Sequence, residues 1–121
     1  MKKKLIVSTS IAVVLITIIT IISLLNEKPT MTGRAIVSAS VILIVDEKDM
    51  PIQLNARNEK VLLNQIINTG DLIKITHDGY FLYSSPAQTV IDKIQVLEKG
   101  TIADVPDKAI EVLKLYNWPI D

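Results

Sequence analysis

The sequence predicts a mainly β fold with a C-terminal helix, preceded by one N-terminal transmembrane helix. Three observations predict this class. An uncharged run fills residues 5–25, short segments rich in β-branched residues follow, and an apolar stripe with helical spacing begins after Pro106. The predicted parts are a cytoplasmic basic end (1–4), a transmembrane signal anchor (5–25), a linker (26–33), a small β domain (34–97) and a C-terminal helical extension (98–121).

The N-terminal run is long enough to span a bilayer. Residues 5–25, LIVSTSIAVVLITIITIISLL, contain no charge, Pro or Gly. A helix of this length reaches roughly 30 Å at about 1.5 Å per residue, which matches the hydrocarbon core. Its serines and threonines can donate hydrogen bonds to carbonyls one turn earlier. Lys2, Lys3 and Lys4 favour a cytoplasmic N-terminus, which places the rest of the chain outside the cell.

A cleaved secretory signal peptide is the alternative to a retained anchor. Signal peptides have a shorter apolar core, typically about 7–15 residues, and end at a small-x-small cleavage site. The stretch LLNEKPTMTG offers only weak threonine positions for cleavage. If cleavage occurs, the domain is secreted. The chain has no cysteine, so a lipoprotein anchor is chemically excluded.

Composition after the linker favours a small acidic domain. Residues 30–121 keep nine of the 13 basic residues and twelve of the 13 acidic ones, since four lysines and Glu27 precede them, so their net charge is −3. A nucleic-acid surface normally needs a basic stripe, so no nucleic-acid partner is expected. The absence of cysteine also excludes disulfides. The fold must therefore rest on packing of one modest core.

The first half of the β domain contains three candidate strands. RAIVSASVILIV (34–45) predicts a strand pair that turns at residues 38–40, and the acidic DEKDMP (46–51) ends it. Ile52 to Asn55 alternate apolar and polar side chains as a half-buried strand does. Around residues 59–68 the apolar spacing favours one or two helical turns, although the segment is also rich in strand formers.

The second half reads as a hairpin. Ile73 and Ile75 alternate with polar residues, and Asp78-Gly79 between two apolar runs is typical of a type I′ turn. Residues 80–83 are then the predicted returning strand. Pro86 is expected to end it, because the residue before a proline is pushed toward an extended conformation. The alternation around Ile94 predicts a last strand.

This half carries a resemblance to a known family. GDLIKITHDGYFLYSSPAQTVIDKIQVL is similar to the core of the YobA-like domain of unknown function, a small extracytoplasmic domain of Gram-positive bacteria. The match rests on Gly70-Asp71, Asp78-Gly79, Pro86-Ala87-Gln88, Ile91 and Ile94, and it covers about Gly33 to Leu97. The resemblance implies a small OB-like β-barrel behind a signal or lipid anchor. It brings no established activity, catalytic residue or ligand.

The C-terminal segment predicts one amphipathic helix. Pro106 suits a first helical turn, and Ala109, Val112, Leu113 and Tyr116 form an apolar stripe at helical spacing. We expect this helix to pack onto the barrel and cover an open end or edge. The alternative is that the stripe and Trp118 bind another protein or return to the membrane surface.

Histidine chemistry would have to use His77, the only histidine. Beside the Asp78-Gly79 turn it is expected to be a solvated turn residue, because no second ligand or nucleophile accompanies it at suitable spacing. Ser84 and Ser85 could pair with it across a hairpin, but the Gly-x-Ser-x-Gly elbow is absent. The sequence therefore predicts no catalytic residue and no enzyme.

Metal and cofactor motifs are also missing from the sequence. Asp46, Glu47 and Asp49 could hold a hard cation weakly, but they lack the spacing of a calcium loop, so a solvated loop is expected. Phosphate loops, dinucleotide fingerprints and paired Cys motifs are absent. We predict no metal and no cofactor.

The candidate binding residues are Tyr80, Tyr83, Pro86 and Gln88. Tyrosine rings near the rim of a small barrel, with Phe81 between them, would offer a stacking surface for a ligand. The alternative is structural: the Gln88 amide would bond to backbone groups freed where the strand ends. The two interpretations differ in whether these side chains remain exposed.

The sequence thus predicts a membrane-anchored extracytoplasmic binding or interaction domain of unknown ligand. Its partners would be the membrane, through residues 5–25, and an unknown protein or small ligand. One alternative is a small regulatory or protective, immunity-like membrane protein, in which the span itself carries function and could not be exchanged for an unrelated anchor. A hydrolase using Ser84 or Ser85 with His77 is the less expected alternative.

Overall fold

A computed structural model describes residues 12–19, 27–62 and 65–121. Residues 12–19 are helical. The five strands are β1 (Thr30–Ser38), β2 (Val41–Val45), β3 (Pro51–Ala56), β4 (Leu72–His77) and β5 (Ala87–Glu98). Two short 3₁₀ turns span Glu59–Val61 and Ile102–Asp104, and the C-terminal helix spans Asp107–Leu115.

The strands close into a barrel in the order β1-β2-β3-β5-β4. All neighbours are antiparallel except β3 and β5, which run parallel. Closure depends on β1 and β5, because each is long enough to pair with one neighbour along its first half and with another along its second half. The mainly β fold with a C-terminal helix is confirmed, and the closed barrel is consistent with the predicted OB-like barrel.

The barrel interior is filled by aliphatic side chains from all five strands. Alternation along each strand turns every second residue inward. Eight of these residues form one buried cluster: Ala35, Ile44, Ile52, Leu54, Ile73, Ile75, Ile91 and Ile94. Gly33 permits the close approach of β1 to β2, because a Cβ at this position would lie 2.2 Å from the carbonyl oxygen of Val45.

A second cluster lies outside the barrel, between the β1–β2 hairpin and the C-terminal helix. Its buried members are Ile36, Leu43, Val45, Val105, Ala109 and Leu113. Trp118 is partly buried against the same cluster, so its ring contributes to this packing. The predicted helix is confirmed, but it covers the outer face of β1 and β2 and not an open end or edge. The outward-facing β1 and β2 residues are apolar, and this requires a cover.

A buried carboxylate joins the start of β4 to the end of β5. Asp71 is fully buried, and its oxygens accept hydrogen bonds from the backbone N–H groups of Asn68 and Gly100 (3.0 Å each) and from Nζ of Lys99 (3.0 Å). Burial raises the pKa of the Asp71 carboxyl, but the donated hydrogen bonds and the Lys99 charge outweigh burial and hold the pKa below its usual value. Gly70-Asp71, one of the pairs that carry the family resemblance, therefore lies at a structural junction.

Four local predictions need correction. β1 begins at Thr30, inside the predicted linker, because residues 30–34 pair with β4. The Asp78-Gly79 hairpin is wrong: of these two residues only Gly79 has positive φ, and residues 80–83 form no strand. Pro86 precedes β5 where it was predicted to end a strand. The expected helical turns near residues 59–68 reduce to Glu59–Val61, with residues 63 and 64 outside the described part.

The predicted membrane span, residues 5–25, lies largely outside the described residues. Residues 12–19 within it are helical, and their large aliphatic side chains are exposed. The Thr17 hydroxyl donates to the carbonyl oxygen of Val13 (2.9 Å), as expected for a threonine in an apolar helix. Across the described ranges, each helix is too short or too polar to traverse a bilayer.

Candidate functional site: a cleft beside the β4–β5 loop

The loop that joins β4 to β5, residues 78–86, is held by several short-range hydrogen bonds. The Gly79 N–H donates to Nδ1 of His77 (3.1 Å), and the Tyr80 N–H donates to the Asp78 carboxylate (3.0 Å). The Thr89 hydroxyl donates to the Tyr80 carbonyl oxygen (2.9 Å). These bonds satisfy backbone groups that a hairpin ladder would otherwise pair, which explains why the loop is ordered without being a strand.

Apolar side chains of this loop point in two directions. Phe81 turns inward, and its ring packs against the imidazole of His77 with the centroids 5.2 Å apart. Tyr80, Leu82 and Tyr83 point outward and are 80%, 63% and 92% exposed. Large apolar side chains exposed next to each other are unusual on a protein surface, which makes this loop a candidate interaction surface.

A cleft of about 640 Å³ opens between this loop, the β2–β3 turn and the C-terminal helix. Its wall is mostly apolar and is formed by Met31, Met50, Ile52, Phe81, Tyr83, Ala87, Val112 and Tyr116. Ser84 and Pro86 contribute to the same wall, and Asp46, Glu47 and Lys48 stand at its rim. An apolar interior with a few charged groups at the rim is typical of ligand sites.

The rim charges belong to the β2–β3 turn. The Asp46 carboxylate accepts from the backbone N–H groups of Lys48 (2.8 Å) and Met50 (2.9 Å) and so stabilises its own turn. Glu47 and Asp49 are exposed. The described ranges contain no group of three or more His, Asp or Glu side chains arranged to hold a metal ion.

A chain of polar side chains runs along the parallel β3–β5 pair to the loop. The Gln53 amide donates to Asn55 (3.0 Å), Asn55 donates to Gln88 (3.1 Å), and Gln88 donates to the Ser84 hydroxyl (3.2 Å). The Ser84 hydroxyl donates in turn to the Pro86 carbonyl oxygen (2.6 Å). Gln88 therefore bonds to side chains rather than to freed backbone groups, and it fixes the start of β5.

The four predicted binding residues separate into two sets. Tyr83 and Pro86 line the large cleft, where Pro86 is buried and Tyr83 is exposed. Tyr80 and Gln88 line a shallower depression of about 330 Å³ on the other side of the loop. The structure does not bring all four to one site.

The residues considered for catalysis are placed as structural residues. His77 is the last residue of β4 and only 6% exposed, so the prediction of a solvated turn residue is wrong. The error arises because His77 continues the inward-facing alternation of Ile73 and Ile75, and Phe81 of the loop packs against its ring. Its Nδ1 accepts from Gly79, and the Ser84 hydroxyl is bonded to the loop backbone. Ser85 is exposed and forms a cis peptide bond with Pro86.

An ion-pair cluster ties the residues just before β1 to β5. Asp92 binds Lys28 (2.9 Å) and the side chain of Arg57. Hydrogen bonds from Lys28, which has the larger effect, and from Arg57 lower the pKa of the Asp92 carboxyl. One residue further along the chain, the Pro29 carbonyl oxygen accepts from the His77 N–H (3.0 Å). The chain therefore enters the barrel beside the loop.

Sequence patterns did not identify several of the residues that line the cleft. The sequence predicts Met31 in the linker, Met50 in a solvated turn, and Val112 and Tyr116 in a stripe that packs onto the barrel. They meet only because β1, the β2–β3 turn and the C-terminal helix converge at one end of the barrel. The alternation of Thr30, Met31 and Thr32 is the sequence signal that could have placed Met31 in a strand.

The comparisons with known proteins identify no relative. No family model, no curated protein and no solved structure matches this chain. The residues that carry the resemblance to the YobA-like domain lie at structural positions: Gly70-Asp71 in the buried junction, Asp78-Gly79 in the loop, and residues 87–94 in β5. The resemblance itself stays a prediction.

Proposed function

We propose that this chain is a membrane-anchored extracytoplasmic binding module whose partner inserts an apolar group into the cleft. The observation that carries the proposal is the cleft itself, with its volume of about 640 Å³ and its mostly apolar wall. This volume falls within the range of known small-ligand sites, roughly 300–1,000 Å³. The acidic turn at the rim favours a partner that is neutral or carries positive charge beside its apolar group.

The anchoring part of the proposal is supported by residues 5–25. Their length and lack of charge suit a bilayer span, and the three lysines before them favour a cytoplasmic N-terminus. The exposed aliphatic side chains of residues 12–19 suit a lipid environment. We therefore propose a single-pass membrane protein with its barrel outside the cell.

Binding is favoured over catalysis by the bonding of the reactive side chains. His77 is packed against Phe81 and holds the loop through Gly79. The Ser84 hydroxyl donates a hydrogen bond to the Pro86 carbonyl oxygen, whereas a nucleophilic serine needs a base as its hydrogen-bond acceptor. We infer that both residues shape the cleft wall. The proposal also agrees with the resemblance to the YobA-like domain, which implies an extracytoplasmic location and no established activity.

Site-specific photo-crosslinking in intact cells tests the proposal. A photoreactive phenylalanine analogue replaces Met50, which lines the cleft, in the full chain. The matched probe replaces Leu97, which is exposed on β5 and away from the cleft. We expect a discrete adduct from position 50 and none of the same mass from position 97.

A blocking variant makes the test specific for the cleft. Val112→Arg places a long charged side chain in the cleft wall, while Glu111→Arg changes an exposed neighbour that does not line the cleft. Val112→Arg should abolish the adduct at position 50, and Glu111→Arg should leave it. An adduct that survives Val112→Arg, or the same adduct at both probe positions, would contradict binding in the cleft.

A further inference from the structure

The exposed apolar loop lies at the end of the barrel where the chain arrives from the predicted span. Thr30, the first residue of β1, pairs with Thr76 at the end of β4, and the loop begins two residues later. Pro29 approaches Gly79 closely, since a Cβ built on Gly79 would lie 3.6 Å from the Pro29 ring. The loop and the point where the chain enters are therefore neighbours.

The distance between the apolar run and this loop is short. The Pro29 carbonyl is fixed by the His77 N–H (3.0 Å), and the Lys28 side chain is fixed by Asp92 (2.9 Å). Four residue steps separate Leu25, the last residue of the apolar run, from Pro29, and even a fully extended chain covers only about 14 Å in four steps. If Leu25 lies at the edge of the hydrocarbon core, the loop lies within reach of the headgroup layer.

The composition of the loop suits that layer. Gly79 to Pro86 reads GYFLYSSP and contains no charged residue. Tyrosine is enriched at membrane interfaces because its ring is apolar and its hydroxyl can stay hydrated. The exposed side chains of Tyr80, Leu82 and Tyr83 contribute little to the barrel interior or the outer cluster, so another surface is needed to account for them.

We propose that Tyr80, Leu82 and Tyr83 insert into the interface of the membrane that holds residues 5–25, so that the barrel is seated on the bilayer with its cleft close to the lipid surface. This inference rests on the proposed membrane anchorage. The nearby cations Lys28 and Arg57 are balanced by Asp92 and Asp78, and the β2–β3 turn adds acidic residues. Insertion therefore depends on apolar contact and needs no anionic lipid.

The cysteine-free sequence permits a depth measurement on the full chain. Leu82→Cys and Tyr83→Cys place a fluorescent label on the loop. Ser40→Cys is the matched control, because Ser40 is exposed in the β1–β2 turn, at the far end of β1 from Thr30. Each labelled chain is reconstituted into phosphatidylcholine vesicles that contain a lipid with a nitroxide near the top of its acyl chain.

We expect the nitroxide to quench the labels at positions 82 and 83 at least about twofold more strongly than the label at position 40, as interfacial residues require. Adding Tyr80→Ser and Tyr83→Ser to the Leu82→Cys chain should lower its quenching to the level of position 40. Replacing a third of the phosphatidylcholine by an anionic lipid should not increase the quenching at position 82.

Three results would overturn docking. The first is equal quenching at positions 40, 82 and 83, and the second is quenching at position 82 that the serine substitutions leave unchanged. The third is complete disulfide crosslinking of the unlabelled Leu82→Cys chain at high dilution in the vesicles. The last result would assign the loop to a second copy of the chain. Flotation of the vesicles separates the two proposals. A chain that floats with the vesicles but fails these tests is anchored without docking, whereas a chain that stays in solution contradicts the anchor itself.

Discussion

At the scale of single residues, Asp71 is a buried charged group that ties two segments of the barrel together. Its carboxylate is fully buried and joins three donors from two separate segments, the turn before β4 and the residues after β5. A buried carboxylate is stable only when its oxygens are hydrogen-bonded or paired. Loss of its charge would leave the backbone N–H donors and the Lys99 ammonium group without a charged acceptor.

Asp71→Asn should lower the free energy of unfolding by about 1–3 kcal/mol, the cost of mismatching buried hydrogen-bonding groups. The matched control is Asp92→Asn, because Asp92 also forms ion pairs but lies at the surface, and its effect should be smaller. Denaturant unfolding of the full chain in detergent, followed by the fluorescence of the single tryptophan, Trp118, measures both. Equal effects would contradict the structural role of Asp71.

The same residue makes the fold sensitive to acid. The pKa of Asp71 is lowered in the folded state, so its contribution to stability is complete above the unfolded pKa, about 3.9, and is lost as the pH falls through the lower folded pKa. The wild-type chain should lose stability steeply below about pH 4. Asp71→Asn should show a shallower loss over the same range, and a superimposable pH profile would contradict this account.

Two glycines with positive φ should respond very differently to alanine. Gly70 has φ of 99°, and an added Cβ would lie 1.9 Å from the Thr101 carbonyl oxygen. Gly79 has φ of 84°, and its added Cβ would meet only the Pro29 ring, at ordinary contact distance. Gly79→Ala should therefore cost about 1 kcal/mol from backbone strain alone, and Gly70→Ala clearly more. Thermal unfolding compares them, and equal losses would contradict the close packing at Gly70.

At the scale of elements, the C-terminal helix is part of the fold. It buries Ala109 and Leu113 against the outer faces of β1 and β2, and Ile110 is partly buried against the same cluster. The helix therefore has two roles, because it covers apolar strand residues with one side and lends Val112 and Tyr116 to the cleft with another.

Leu113→Ala should destabilise the protein by about 2–5 kcal/mol, because it removes a fully buried side chain from a packed cluster. Leu115→Ala is the matched control on the same helix. Leu115 is 79% exposed, so its loss should cost less than about 0.5 kcal/mol. Denaturant unfolding of the two variants checks the difference, and similar midpoints would show that the helix does not pack on the barrel as described.

The predicted hairpin shows where element-level reasoning fails. Asp78-Gly79 carries a strong local signal for a two-residue turn, but Asp78 instead accepts from Tyr80, and Thr89 binds the Tyr80 carbonyl. The partner of β4 begins only at residue 87, because β5 must first run parallel to β3. Parallel pairing joins residues far apart in sequence, and no local pattern records it.

At the scale of the whole molecule, the sequence predicted what local periodicity determines. Strand alternation and the helical stripe gave the mainly β class, the β1–β2 pair and the C-terminal helix, and the resemblance supplied the barrel. The cleft could not be predicted, since Met31, Met50 and Val112 come from three segments that only the closed barrel brings together. Of the predicted binding residues, Tyr83 and Pro86 line this cleft, whereas the conformation predicted for their loop was wrong.

At this scale the central proposal is a barrel held outside the cell by a membrane anchor, and residue accessibility in intact cells tests it most directly. The full chain with Ser40→Cys is expressed, and a membrane-impermeant maleimide is added before or after lysis. We expect full labelling of intact cells, with the labelled, full-length chain recovered in the membrane fraction. Labelling that appears only after lysis would place the barrel in the cytoplasm and contradict the account.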